Sequence, residues 1–459
     1  MALVLVALPA TSQPPPGPGD WVQVGADGLG DETNGSIDPA VVYDGLLFVG
    51  SENETNGARV WTYDGSTWTQ VGDDGFDDPD NIAAVPVAVY QGLLYAGTLN
   101  VADGGEVWVY DGTGWSQVVA GGIDDANNVA LYPSVVFGGH LYAGTINDYT
   151  GAEVWRYDGT QWRQVNEDGF GYPATNDLAL GFAVFEDRLY TSTDNEVLGT
   201  QVWRYEENTT WTQVNVNGFG TPDNEIAYQP VVYRGALYVA TINEATGMEV
   251  WSYDGSSWVR VVDGGFGNPD NTGGYGLMAH DGYLYTSTRN EVSGTQIWRY
   301  DGSEWTQLNF DGFDRDAGNE YASMVPFQRD LYAGTQNRRT GGEIWRLTLC
   351  PDDDKDCVPN DSDICPETQI PEAVPTVRLG MNRWALIDDD SELDTRLPPG
   401  EGSGRSFSIV QTGGCSCAQI IQACGYGEGH SKFGCSNSVM DWWTGLYDRS
   451  GQPPFQCHE

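Results

Sequence analysis

The residues best suited by type and repetition to meet a ligand are asparagines. One set ends Thr/Ser-x-Asn phrases such as TLN, TIN and TRN: Asn53, Asn100, Asn147, Asn195, Asn243, Asn290 and Asn337. A second set closes loops such as DGFDDPDN and NGFGTPDN: Asn34, Asn81, Asn128, Asn176, Asn224, Asn271 and Asn319. Carboxamides donate and accept hydrogen bonds. Beside aromatic rings and carboxylates such as Asp80, Asp223 and Asp270 they match the hydroxyls of a sugar. Asparagine is equally a turn residue that bonds its own backbone and tolerates left-handed conformations. Recurrence in every repeat fits a scaffold role, so binding face and scaffold both stand as readings. Other chemistry is sparse. The repeats contain only His140 and His280 and no cysteine, which speaks against a histidine base or a histidine–cysteine copper site. No G-x-S-x-G elbow or phosphate-binding loop occurs. Carboxylates for a glycosidase pair are plentiful, but nothing singles one out.

A different donor set follows in CPDDDKDCVPNDSDICPET. Asp352, Asp354 and Asp356 alternate as oxygen ligands do in calcium loops, and Asp361 and Asp363 repeat the spacing. The alternative is a solvated acidic linker. All eight cysteines lie between Cys350 and Cys457, a cluster that reads as disulfides in an exported chain. Cys415, Cys417, His430 and Cys435 could instead be drawn as a zinc site.

The elements that must position these groups are set by repetition. EVWRYDGTQWRQV recurs as RVWTYDGSTWTQV, EVWVYDGTGWSQV, EVWSYDGSSWVRV and QIWRYDGSEWTQL. Two tryptophan series run in step, from Trp61 to Trp345 and from Trp21 to Trp305, at spacings of 47 to 49 residues. Each repeat contains four short runs rich in β-branched and aromatic residues, joined by Gly or Asp-Gly turns. Four antiparallel strands at this period describe a propeller blade, and the expected fold is all-β, a seven-bladed β-propeller over residues 21–349. WVQV at Trp21–Val24 is a fourth strand lacking its first three, while Ser323–Phe327, Leu331–Thr335 and Glu343–Arg346 lack a fourth. Their pairing would close the ring and hide its edges. On this topology the asparagine loops share one face, with His140 and His280 at the other. Phe76, Phe170, Phe219, Phe266 and Phe313 are expected to plug the gaps between blades. Residues 368–459 are expected to form a small disulfide-rich α+β module, with strands in VPTVRLGMNRWALID and helices over Cys417–Cys424 and Ser438–Leu446.

The Tyr and Trp placement in residues 21–347 resembles the kelch and galactose-oxidase type of propeller, although LYAGT stands where kelch repeats carry a double glycine. Residues 350–367 resemble a degenerate thrombospondin type 3 repeat, and that resemblance implies bound calcium. Cys357 stands where that family usually has glycine after the acidic triplet. GCSCAQII followed by GHSKFGCSNSVMDWW resembles a terminal module of exported bacterial proteins.

With 66 acidic against 21 basic side chains and a net charge of −45, the surface repels phosphate backbones and anionic lipids. Nucleic-acid and membrane-surface partners are thereby disfavoured. A high-salt habitat would favour the same composition. MALVLVALPATS (1–12) reads as the apolar part of a signal peptide and 13–20 as a Pro-rich linker. The expectation is a secreted, monomeric binding or adhesion protein with glycan or extracellular protein as partner and calcium as cofactor. A secreted polysaccharide lyase or glycoside hydrolase is the second reading, and a purely structural cell-surface component the third.

Overall fold

A computed structural model describes residues 19–207, 210–328, 330–349, 363–365, 367–387, 393–396 and 407–450. The chain divides into two compact units, one holding Gly17–Phe327 with Leu331–Leu347 and the other holding chiefly Thr348–Glu459.

The first unit is a β-propeller. In the repeat that begins at Ala83, strands Ala83–Tyr90, Leu93–Leu99, Val107–Tyr110 and Trp115–Val119 pair antiparallel in that order. The second strand is a nearly wholly buried run, because it lies between two neighbours and packs on both faces. The other repeats follow the same order. First strands of successive repeats touch one another in turn, and Tyr321–Phe327 touches Ser36–Tyr43, so the ring closes. Trp21–Gln23 pairs with the third strand of the final repeat, with Trp21 opposite Leu347 and Gln23 opposite Trp345. The indole of Trp21 donates to the Leu308 carbonyl at 2.9 Å, which ties the chain start to the repeat before the last.

The linking-loop phenylalanines do plug the seams. Phe76 stacks on Trp108 with ring centroids 4.8 Å apart and meets Trp115 edge-on. Phe170 on Trp203, Phe219 on Trp251, Phe266 on Trp298 and Phe313 on Trp345 repeat the arrangement. These phenylalanines occupy left-handed backbone, Phe76 at φ 56° and Phe313 at φ 67°. That conformation is costly for a bulky residue, and the indole sandwich offsets it.

The second unit has a small sheet in which Arg383–Ala385 pairs with Asp394–Thr395 and Cys435–Ser436. Helices Cys417–Cys424, Glu428–Phe433 and Asn437–Ser450 follow. Of the strands expected in VPTVRLGMNRWALID, only Arg383–Ala385 forms. Ser416 and Gln419 close a capping box at the start of the first helix. Trp443, Trp384, Ile409 and Ile420 fill the core. Cys365–Cys415 and Cys417–Cys435 are disulfides, and Cys424 is also disulfide-bonded. All three thiols of the zinc alternative are therefore consumed, leaving only His430, and the zinc reading falls. The Ile364 N–H donates to the Gly413 carbonyl, and Cys365 is bridged to Cys415. No helix among the described residues is long and apolar enough to cross a membrane.

Candidate functional site

The asparagine rings are scaffold, which corrects the binding-face reading. Asn81, Asn100, Asn128, Asn147, Asn176, Asn224, Asn243, Asn271, Asn290 and Asn319 are all 0% exposed. Their amides are committed. Asn128 Nδ2 donates to the Gly122 carbonyl at 2.8 Å and to Glu153 at 2.7 Å, while its Oδ1 accepts from Asn147 Nδ2 at 2.9 Å. Asn147 Oδ1 accepts the N–H groups of Tyr149 and Thr150. Glu153 also takes the Trp155 indole N–H at 2.8 Å. Glu106, Glu249 and Glu343 repeat the pattern, with Gln201 and Gln296 substituting elsewhere. A sugar could reach these groups only by breaking a buried, satisfied network.

Asp352, Asp354, Asp356 and Asp361 lie outside the described residues. Asp363 is described, and its Oδ1 accepts the Cys365 N–H at 2.8 Å. Among the described residues no group of three or more His, Cys, Asp or Glu side chains could hold a metal ion. His140 bonds the Gly138 carbonyl in its own turn.

The residues that do face open space are on the first strands, which surround a central cavity of about 390 Å³. One repeat-equivalent position supplies Asp38, Val85, Tyr132, Leu180, Tyr228, Tyr275 and Ser323 to its wall. Tyr321, two residues before Ser323, adds another ring. Tyr275 stacks on Tyr321 with centroids 4.6 Å apart and an angle of 11°, and on its other side meets Tyr228 at 4.7 Å. The Tyr275 hydroxyl donates to that of Tyr228 at 3.3 Å. Asp38 accepts from Ser36 Oγ at 2.7 Å and Ser323 Oγ at 2.8 Å. All four tyrosines remain partly exposed.

Burial dominates the electrostatics. It pushes the phenols of Tyr132, Tyr228, Tyr275 and Tyr321 above their ordinary value, and the nearby Asp38 carboxylate adds to this for Tyr132 and Tyr321. They stay protonated, which suits hydrogen bonding and stacking better than nucleophilic attack. The Asp38 carboxyl is raised by the same desolvation, opposed by its two serine donors.

An acidic pair lies at the seams of the fourth repeat. Asp177 follows Asn176, where other repeats range from Ile82 and Val129 to Glu225 and Glu320, and Asp194 precedes Asn195, where others range from Leu99 and Ile146 to Glu52 and Arg289. Each has one buried carboxylate oxygen without a hydrogen-bond partner. Burial raises Asp177 to about 6 and Asp194 to about 8, with the mutual repulsion of the pair helping to raise Asp194.

Sequence reasoning missed the residues that line the cavity because it looked for repetition, whereas the cavity wall is where the repeats differ. The signal was present in the aligned first strands: Asp, Val, Tyr, Leu, Tyr, Tyr and Ser at one position of an otherwise regular phrase.

No family model and no curated protein matches the sequence. Solved structures similar to this chain include the WD40 beta propeller domain of Doa1, at 11% identity over 71% of this chain and 96% of that one, with TM-score 0.45. A mutant of the Aleuria aurantia lectin AAL in complex with Fucalpha1-6GlcNAc matches at 13% identity, 62% and 97% coverage and TM-score 0.39. Trypanosoma rangeli sialidase matches at 12% identity, 71% and 55% coverage and TM-score 0.36. At these identities the likeness is one of fold.

Proposed function

We propose that this chain is an exported, monomeric glycan-binding protein whose propeller takes a sugar in the central cavity. The observation that carries this reading is the partly exposed tyrosine stack, Tyr228–Tyr275–Tyr321, beside the hydroxyl and carboxylate groups of Ser36, Ser323 and Asp38. Flat aromatic faces pack on the C–H face of a pyranose, while hydroxyls and a carboxylate bond its rim. The cavity lies within the size range of small-ligand sites. Disulfides in the second unit suit an oxidising, extracytoplasmic location.

A glycan array tests the reading. Retention of a defined set of oligosaccharides is expected, and Tyr275→Ala should weaken it about tenfold or more through the lost stacking face. Retention unchanged in the variant moves the site elsewhere. Release of reducing or unsaturated ends during incubation replaces binding with catalysis.

The acidic run around Asp352, Asp354, Asp356, Asp361 and Asp363 is proposed to hold calcium, on the alternation of carboxylates in the sequence. Millimolar calcium should raise the unfolding temperature of the second unit by a few degrees, as expected for a ligand bound only by the folded state. A chelator should reverse the gain, and joint replacement of Asp352, Asp354 and Asp356 by Asn should abolish it. A calorimetric trace indifferent to calcium and chelator removes the metal.

A further inference from the structure

The cavity wall is not symmetric, and its one carboxylate marks where. At the position occupied by Asp38, the other repeats place Val85, Tyr132, Leu180, Tyr228, Tyr275 and Ser323, none of them charged. A residue serving only the fold would obey the repeat, as the buried asparagines do. Asp38 departs from it at a place where charge is expensive.

Its partners are two hydroxyls. Ser36 Oγ donates to Oδ2 and Ser323 Oγ to Oδ1, so each carboxylate oxygen has one donor and keeps acceptor capacity free. Among the described residues no cation pairs with Asp38. Arg338 bonds Glu52 at 2.6 Å and Arg289 pairs with Glu244 and Glu291. Both serines are small and polar where most repeats carry apolar or aromatic groups, and each comes from a different end of the chain. Ser36 and Asp38 share the first repeat, and Ser323 belongs to the last, so ring closure assembles the group. Tyr321 and Tyr132 stand close enough to feel the charge. A carboxylate among aromatic faces, held by hydroxyl donors but lacking a counter-ion, is a receptor for a compact cation.

We propose that the cavity selects a hexosamine with a free amino group, its ammonium on Asp38 and its ring against the Tyr275–Tyr321 stack. This rests on the glycan-binding reading and narrows it to a substrate class. The ammonium supplies the missing counter-charge. An N-acetyl group there would be neutral and bulkier, leaving the carboxylate buried without compensation. The strongly acidic surface raises the local concentration of such a cation in dilute salt.

Isothermal titration of the full chain with glucosamine, N-acetylglucosamine, glucose and lysine amide decides the matter, below the pH at which the sugar amine loses its proton. Glucosamine should bind at least tenfold more tightly than N-acetylglucosamine or glucose. Asp38→Asn, nearly isosteric, should erase that preference while leaving the unfolding temperature in place. Equal affinity for the three sugars, or a preference that survives Asp38→Asn, overturns the amino-sugar inference and leaves the glycan reading intact. Lysine amide binding as tightly as glucosamine overturns the sugar assignment in favour of an ammonium-bearing peptide. No sugar binding at all, with the protein folded, overturns both.

Discussion

Gly144→Ala is expected to destabilise the propeller by about 3 kcal/mol or more, a large fraction of an ordinary folding free energy. The reason is the seam between repeats. A Cβ built on Gly144 would lie 1.6 Å from the Ala179 carbonyl oxygen of the next first strand, and on Gly50 and Gly97 it would lie 1.7 Å from Ala84 O and 2.0 Å from Leu131 O. Backbone cannot give way there without opening the ring. The remaining repeats confirm that this is a shared contact with several solutions. Where serine replaces glycine, its hydroxyl turns to the same carbonyl: Ser192 Oγ donates to Ala227 O at 2.7 Å, and Ser287 Oγ donates to Ala322 O. Where Ala240 stands instead, the next strand supplies Gly274, on which a Cβ would lie 2.4 Å from the Ala240 methyl. Gly274→Ala should therefore be nearly as harmful as Gly144→Ala. Chemical denaturation reads both, and a midpoint within error of the parent for either would show that the seam yields more easily than a carbonyl wall allows.

That contact also shows what the sequence could and could not disclose. The LYAGT phrase was legible as a strand and its glycine as an oddity, but the partner carbonyl lies some 35 residues onward on another sheet. No local pattern names it. The tryptophan spacing and the stranded fourth strand at Trp21 were enough for the sheet order and the closure, because period and phase are properties of the chain itself. The asparagines misled as candidate contacts for the opposite reason. Their regularity advertised importance, and Asn128 and Asn147 are indeed indispensable partners, but of Glu153, Trp155 and two loop N–H groups. A carboxamide that satisfies its neighbours is indistinguishable in sequence from one that awaits a sugar. The cavity needed ring closure to exist, since Asp38 and Ser323 are 285 positions apart.

Asp194→Asn is expected to stabilise the propeller at pH 8, by on the order of 2 kcal/mol, and to have little effect at pH 4. Asp194 is raised to about 8 and Asp177 to about 6 from an ordinary value of 3.8. Burial is the leading cause for both. For Asp194, repulsion from Asp177, Glu196, Glu225 and Asp148 adds to it; for Asp177, Asp148 and Glu196 do so. The folded chain thus binds protons that the unfolded chain has already released. Below about pH 4 both states are protonated and the pair costs nothing in ionisation. As pH rises toward 8 the native state must either hold the proton against solution or bury a charge beside other carboxylates, so stability declines across that window and then levels off. The two titrations belong to the pair rather than to either side chain, and removing one carboxyl should let Asp177 ionise at a lower pH. Glu372, raised to about 7 by burial in the second unit, drives the same trend there. The difference between parent and variant, taken at each pH by denaturant unfolding of the first unit's tryptophans, isolates the pair. A difference that is flat from pH 4 to pH 8, or that favours the parent at pH 8, would mean the carboxylates are solvated or paired in solution, and the buried acidic pair would have to be abandoned.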